Sequence, residues 1–291
     1  QRAEMKILEL PIPTYYGDEI CHVDGLKYAW NVVMTTFRAR LNDIGFVYDR
    51  IYDCRPDLSQ SLYEAKLDFD SPHTRAMVNI NSGELIVELG SGEGHLALAL
   101  MKKGCRVIGV DFRAPSKKND FAFEKFIRHD LNKPMPHDLV ANADKIVMLD
   151  VIEHLSNPEL FVDNLRENPY LSTDTELVVS TGNVGFFIVR FGLLLGMFNY
   201  GKRGILDLTH TRLFTFTTIR RLFEQSGFEI LKISGVPAPF PIAIGRGRVS
   251  RTLLKLNQIL ASIWPNMFAY QIFLKVRKQA TLRDLLDSVE K

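Results

Sequence analysis

The sequence predicts an α/β fold built on a doubly wound sheet, and three observations predict it. An apolar run, a glycine-rich turn, a helical segment and a second apolar run ending in an acid follow one another from Leu85 to Phe112. Further short apolar runs end in acids at Asp130 and Asp150 and alternate with helical patterns, the spacing of repeated βαβ units. A late pair of strand-like segments, Phe228–Ile233 and Ile272–Val276, then adds to the same sheet.

Residues 1–20 read as a strand, Ile7 to Leu10, followed by a turn through Pro11, Pro13 and Gly17-Asp18. Asp24 is placed to cap a helix with Leu26, Trp30, Val33, Phe37 and Leu41 along one face. Ser71-Pro72 starts another helix, with proline in its first turn. Leu85-Ile86-Val87 is wholly apolar, as expected of a parallel strand covered on both faces. The turn Glu88-Leu89-Gly90-Ser91-Gly92-Glu93-Gly94 lacks the Cβ atoms that would keep a ligand from the backbone. His95 to Lys103 is helical in pattern and Gly104 ends it; Cys105 to Val110 is the next strand, with Asp111 at its carboxyl end. Phe126-Ile127-Arg128 ends at His129-Asp130, and Lys145 to Leu149 ends at Asp150. Asn157-Pro158 caps a helix bearing Leu160, Phe161 and Leu165, and Leu177 to Ser180 is a fifth strand. Phe186 to Phe198 is apolar for about four turns, interrupted by Arg190. Thr217 to Gln225 is a helix closed by Gly227.

A chain of 291 residues holds one large α/β domain with appendages, or two small domains. Thirty-six basic against thirty-four acidic residues leave a net charge of +2, so no global field points to nucleic acid. Cys21, Cys54 and Cys105 are too few and too scattered for a disulfide framework or a zinc site, which fits a reducing cytoplasm. Cys105 alternates with apolar strand residues and reads as core. No signal peptide or apolar run of the ~20 residues needed to span a bilayer is visible.

Two cofactor readings meet at the glycine turn. A dinucleotide fingerprint needs Gly-x-Gly-x-x-Gly, and here the third glycine falls one residue early, with His95 in its place. Glu88 and Glu93 would also repel a pyrophosphate. S-adenosylmethionine (SAM) has no phosphate and carries a sulfonium and an ammonium, which acids suit. Glu-x-Gly-x-Gly-x-Gly followed by a strand-end Asp resembles the class I SAM-dependent methyltransferases. The resemblance implies a Rossmann-like seven-stranded sheet with an antiparallel last strand. It also implies cofactor contacts at Glu88, Gly90, Ser91, Gly92, Gly94, Asp111, Phe112, Asp130, Leu131 and Asp150. There Asp111 grips both ribose hydroxyls and Asp130 with Leu131 meets the adenine. A plain turn acid before Asn132-Lys133-Pro134 is the other reading of Asp130.

Asp150-Val-Ile-Glu153-His154-Leu matches a segment common in small-molecule O-methyltransferases. Methyl transfer is an in-line displacement, so orientation supplies much of the rate, and a sugar hydroxyl needs a base beside it. His154, at a helix start, is the first candidate, His210 the second, with Glu153 beside them. Asp150, Glu153, His154 and His210 also resemble the Glu-x-x-Glu-His…His set of magnesium-assisted methyltransferases. Asp stands for the first Glu, and no divalent metal is expected.

Residues 182–216 resemble methyltransferases found with bacterial glycan-assembly enzymes, as a lid over the transfer centre with Tyr200, Asp207 and Arg212 as acceptor contacts. A hydrophobic lid helix and structural loop is the other reading. Glu9 to Ala29 resembles the C-terminal tail of family 2 glycosyltransferases. Residues 1–70 are therefore read as a glycosyltransferase-tail-like extension or helical cap, and the chain as a piece of a glycosyltransferase fusion or a partner of one. Residues 71–291 form the methyltransferase domain, with a helical insertion at 236–269. Arg246, Arg248, Arg251 and Lys255 precede an apolar stretch with Leu256, Ile259, Leu260 and Trp264, which suits core packing or an anionic membrane. The expectation is a cytoplasmic enzyme, possible at the membrane periphery, that O-methylates a saccharide or lipid-linked glycan and releases S-adenosylhomocysteine. The alternatives are a quinone or phenol acceptor, or a SAM-binding module without catalysis.

Overall fold

A computed structural model describes residues 24–43, 48, 49, 51, 67–116 and 123–280. The strand and turn expected before residue 20, and Cys21 and Cys54, lie outside the described residues.

Seven strands form one sheet: β1 (Leu85–Leu89), β2 (Arg106–Asp111), β3 (Lys125–Arg128), β4 (Lys145–Leu149), β5 (Glu176–Gly182), β6 (Phe228–Val236) and β7 (Gln271–Lys278). Their order is β3-β2-β1-β4-β5-β7-β6. The first five are parallel, while β7 runs antiparallel between β5 and β6. The order reverses between β1 and β4, the switch point beside whose carboxyl ends open α/β sheets bind ligands.

The helices are α1 (Gly25–Asp43), α2 (Pro72–Asn79), α3 (His95–Lys102), α4 (Pro158–Glu167), α5 (Phe187–Leu194), α6 (Phe216–Gln225), α7 (Phe240–Ile244), α8 (Arg248–Ile263) and α9 (Pro265–Phe268). Their starts are chemically specified. Ser71 and Thr215 each form a capping box, with Thr74 and Thr218 respectively, and Asn157 accepts from the Leu160 N–H at 3.0 Å. Asp24 Oδ1 accepts from the N–H groups of Leu26 and Lys27, as its position suggested.

Both faces of the sheet are covered. On one, Val87, Leu89, Ile146, Met148, Leu177 and Val179 pack with Phe161 and Leu165 of α4 and Ile219 and Phe223 of α6. On the other, Ile86, Val107, Val147 and Val178 meet Ala76 of α2 and Leu96 and Leu100 of α3. Cys105 belongs to this second core and donates its thiol to the Asn81 carbonyl at 3.2 Å.

Three expectations need correction. The lid helix is two turns, not four, because Gly196 takes φ +71° just beyond it and no residue of the helix is buried. His154 stands in a 3-10 turn (Ile152–His154) ahead of α4 rather than at a helix start. The apolar face of α1 stays open, with Leu26, Trp30, Val33 and Phe37 all exposed, whereas a cap seated on the sheet would bury it. Among the described residues, no helix is long and apolar enough to cross a membrane.

Phe223 is fully buried and meets Phe228 edge to face, with ring centroids 5.7 Å apart, whereas Leu194 of α5 is 80% exposed. Phe223→Ala is expected to lose about 3–5 kcal/mol in urea unfolding, and Leu194→Ala less than about 0.5 kcal/mol. Comparable losses would mean that α5 is part of the cooperative core.

Candidate active site

The turn after β1 is built from left-handed glycines. Gly90, Gly92 and Gly94 take φ of +72°, +52° and +74°. At Gly90 the need is also one of space, since a Cβ there would sit 2.4 Å from Val151 Cγ2. The N–H groups of Gly90 and Ser91 donate to the Val110 carbonyl at 2.8 and 3.2 Å, which ties the turn to the end of β2. Asp111 then closes it from below. Its Oδ2 accepts from the Gly92 N–H and its Oδ1 from the Arg113 N–H, both at 2.9 Å.

Two polar atoms in this corner have no partner: Glu88 Oε2 and Ser91 Oγ, both buried. Burial first, and the Asp111 carboxylate second, push Glu88 up to about 8; the Ala97 N–H near the start of α3 opposes them. Glu93 instead turns outward and accepts from the Ser116 N–H at 3.0 Å, which holds its carboxyl below the usual range. It braces the loop after β2.

On the far side of Asp111, Phe112 is exposed, with the Arg113 guanidinium 4.8 Å above its ring. Asp130 Oδ1 accepts from the backbone and side-chain nitrogens of Asn132, the turn-acid geometry, and these bonds lower its pKa. Leu131 packs into the main core. Its side chain is therefore structural.

Asp150, at the end of β4, is strained and strapped. It takes φ +55°, a left-handed conformation that Asp tolerates at a cost of about 1–2 kcal/mol. Ser180 Oγ donates to Oδ1 at 2.7 Å, and Gln271 Nε2 reaches both carboxylate oxygens at 2.7 Å. Gln271 opens β7 directly opposite Gly182 at the end of β5.

Glu153 lies inside. It is 2% exposed, Oε1 accepts from the Gly182 N–H at 3.2 Å, and Oε2 has no partner. Burial, then the nearby Asp150 charge, raise its pKa. Its main-chain oxygen receives the N–H groups of Thr211 and Arg212, so it pins the segment that carries His210. Glu153, expected to act beside the histidines, stands as a buried strut beneath that segment, with Oε2 unpartnered.

The two candidate histidines come together from 56 residues apart. Their rings meet edge to face with centroids 4.7 Å apart. His210 Nδ1 lies 2.9 Å from the Ile205 carbonyl, an acceptor only, so Nδ1 carries the proton and Nε2 keeps its lone pair. His154 Nδ1 lies 3.2 Å from the Thr209 carbonyl and 3.1 Å from Thr209 Oγ1, and that hydroxyl donates to Asp207 Oδ1. The two differ in exposure. His154 is exposed, while His210 is half-buried and burial lowers its pKa, with His154 adding to the effect; the Ile205 carbonyl, Asp207 and Asp150 oppose it.

Of the expected acceptor contacts, Asp207 stands beside this pair through Thr209. Tyr200 is half-buried, with its ring against Phe198 at 5.7 Å. Arg212 pairs with Glu159 of α4 at 2.9 Å, with both side chains about half exposed. The sequence reading missed Ser180, Gln271 and Tyr270. Burial pushes the Tyr270 hydroxyl up to about 12, with Asp150 and Asp207 adding to the effect. An amide opening an otherwise apolar strand was the available signal for Gln271. Among the described residues, no three His, Cys, Asp or Glu side chains converge to hold a metal ion.

A methyltransferase-domain family matches residues 63–233. No curated protein matches the sequence. Solved structures are similar in shape at low identity. The 1,6-didemethyltoxoflavin-N1-methyltransferase of Burkholderia thailandensis, solved with S-adenosylhomocysteine, is 12% identical over 92% of this chain and 99% of its own, with a TM-score of 0.48. The N-methyltransferase NodS of Bradyrhizobium japonicum is 11% identical over 76% and 96%, with a TM-score of 0.46. The magnesium protoporphyrin IX methyltransferase of Synechocystis is 15% identical over 72% and 80%, with a TM-score of 0.45.

Glu88 gives a test of the corner's electrostatics. Its folded pKa lies above the ordinary carboxyl value, so the stability it contributes is full below about 4.5 and is lost as pH rises through about 8. Glu88→Gln is therefore expected to match the parent in melting temperature near pH 4.5. It should exceed the parent by roughly 1–4 kcal/mol at pH 9. A constant difference across that range would refute the raised pKa.

Proposed function

The chain belongs to the methyltransferase-domain family, and on that premise we propose that it transfers a methyl group from SAM to a hydroxyl oxygen of a saccharide or glycan-linked acceptor. Its fold is that of the class I enzymes, and its cofactor is SAM. The residues present fit that cofactor. The glycine turn leaves open space at Gly92, where a Cβ would meet nothing within 4 Å. The buried, unpartnered Glu88 Oε2 suits a cationic group, and Ser91 Oγ has a hydrogen bond still to make. Asp111 and Asp150 give this edge an acidic character that a pyrophosphate would not tolerate. When bound, SAM supplies an electrophilic methyl on a sulfonium sulfur that departs as a neutral thioether.

The observation that carries the acceptor class is the imidazole pair. His210 has its Nδ1 proton committed to the Ile205 carbonyl and its pKa lowered, so at neutral pH Nε2 is a free base. A hydroxyl proton can pass to that nitrogen as the oxygen attacks. His154 lies against the ring and favours the neutral form of His210 by charge repulsion. Asp207 and Thr209 add the polar contacts that a hydroxyl-rich acceptor needs. This ranking reverses the order read from sequence, where His154 came first. The saccharide is supported by the resemblance of residues 182–216 and of the N-terminal segment to glycan-assembly enzymes. Mass spectrometry of saccharide and phenol pools incubated with enzyme and SAM tests it. Methylation of phenols alone would overturn the saccharide.

Two further outcomes are expected. SAM binding near pH 7 should release up to one proton, as the cofactor's positive charge lowers the Glu88 pKa from about 8. Calorimetry in buffers of different ionisation enthalpy reads this, and Glu88→Gln should abolish it. In turnover, kcat/KM should fall on the acid side with a limb below the ordinary histidine value of about 6.5. His210→Gln should lose about 10²–10⁴-fold in kcat with SAM affinity retained. A larger loss in His154→Gln than in His210→Gln would move the base to the neighbouring ring.

A further inference from the structure

Acidic residues are absent from two long stretches of this chain: none occurs between Glu176 and Asp207, and none between Glu229 and Asp284. These stretches contain α5, α7, α8 and α9, which carry most of the exposed large apolar side chains on the domain. On α8, Ser250, Leu254, Asn257 and Ala261 face inward. Asn257 locks the helix down, accepting from the Ala238 N–H at 2.7 Å and donating to the Phe268 carbonyl at 2.9 Å. At the helical period of about 100° per residue, Val249, Leu256, Ile259 and Ile263 form a stripe on the outer side. All four are exposed, Ile263 by 74%. Arg248, Arg251 and Lys255 flank that stripe, exposed and without an ion pair among the described residues. Arg246, just before the helix, pairs with Asp68.

The stripe continues through rings rather than stopping at the helix end. Trp264 meets Phe268 at 6.1 Å, and Phe268 meets Phe187 of α5 at 5.8 Å. Beyond Phe187, α5 and its C-terminal turn expose Ile188, Phe191, Leu194, Leu195 and Met197. Soluble monomers rarely leave an apolar surface of this kind uncovered. Its border settles the partner's chemistry. A folded protein partner needs matched polar groups, whereas an anionic bilayer asks for a fixed helix with an apolar stripe, a cationic flank, no acids and an aromatic at the edge.

We propose that α8, with Trp264 and α5, docks this chain on an anionic membrane surface, lying in the interface rather than crossing it. The charges are drawn to the lipid headgroups while the stripe enters the acyl boundary. Because α5 leads through Ile205 to His210, docking places the candidate site at the membrane, where lipid-linked acceptors are found. The proposal stands on surface chemistry and does not depend on which hydroxyl is methylated.

The test is sedimentation of the whole chain with vesicles of phosphatidylcholine containing increasing phosphatidylglycerol. Binding is expected to rise with anionic lipid and to fall at high salt. Each of Arg248→Gln, Arg251→Gln and Lys255→Gln should weaken partitioning about fivefold, and Ile259→Ser with Ile263→Ser should weaken it further. Trp30 and Trp264 are the two tryptophans, so in a Trp30→Phe background the emission of Trp264 should shift to the blue on binding. Parental melting temperature and SAM affinity in the variants exclude misfolding. No binding to any vesicle overturns the proposal. So does binding that these variants leave intact, or self-association that buries Trp264 without lipid.

Discussion

The close approach of the Gly90 backbone to Val151 is the constraint on which the carboxyl edge of the sheet depends. With 2.4 Å between the position of a Gly90 Cβ and Val151 Cγ2, only glycine lets the end of β1 lie against the chain leaving β4. That contact fixes where the turn sits and how Asp150, the residue before Val151, must be held. Asp150 answers with a left-handed backbone, and the strain is offset by bonds from Ser180 and Gln271 to its side chain. Asp111 reaches the same turn from the other flank through the Gly92 N–H. Three strands are thereby joined at one point.

The acids at this edge fall into two classes. Asp111 and Asp150 have their oxygens occupied by N–H or O–H donors. Glu88 and Glu153 are buried with one oxygen unpartnered and their pKa raised. The cost of burying a carboxyl without a full set of partners is recovered only where it serves a purpose. On the proposed function, that purpose for Glu88, beside the open turn, is to meet a cation. For Glu153, beneath the Thr211-Arg212 backbone, it is the placement of His210. Two glutamates of similar burial therefore have different roles, decided by what lies beside them.

Much of this was legible in sequence because it rests on local rules. The Leu85–Phe112 unit, the caps at Asp24, Ser71 and Asn157, and the acids closing β1 to β4 are all written in spacing and residue type. The extent of the lid helix was not, because apolar periodicity is the same in a buried helix and in an exposed one cut short at Gly196. The fate of Arg212 was not either, since its partner Glu159 depends on how α4 packs beside the loop. The histidines were legible as candidates. Their order was not, because the pKa of His210 is set by burial and by a carbonyl that only the folded chain supplies.

The largest omission, Gln271, has a topological cause. The rule that ligands gather at the carboxyl ends of strands holds for parallel strands, so a reader following it inspects what comes after each strand. β7 runs the other way, and it is its first residue that arrives at that edge, opposite Gly182. Had β7 been parallel, its amino end would lie at the far side of the sheet and Asp150 would lose two of its bonds. The reversal of one strand therefore does more than close the sheet. It brings Tyr270 and Gln271 to the edge beside Asp150, and the helices that precede them, α9 and before it α8, come with them by the shortness of their connections. The surface that carries the basic flank and the edge that carries the candidate chemistry are thus set by the same turn of the chain.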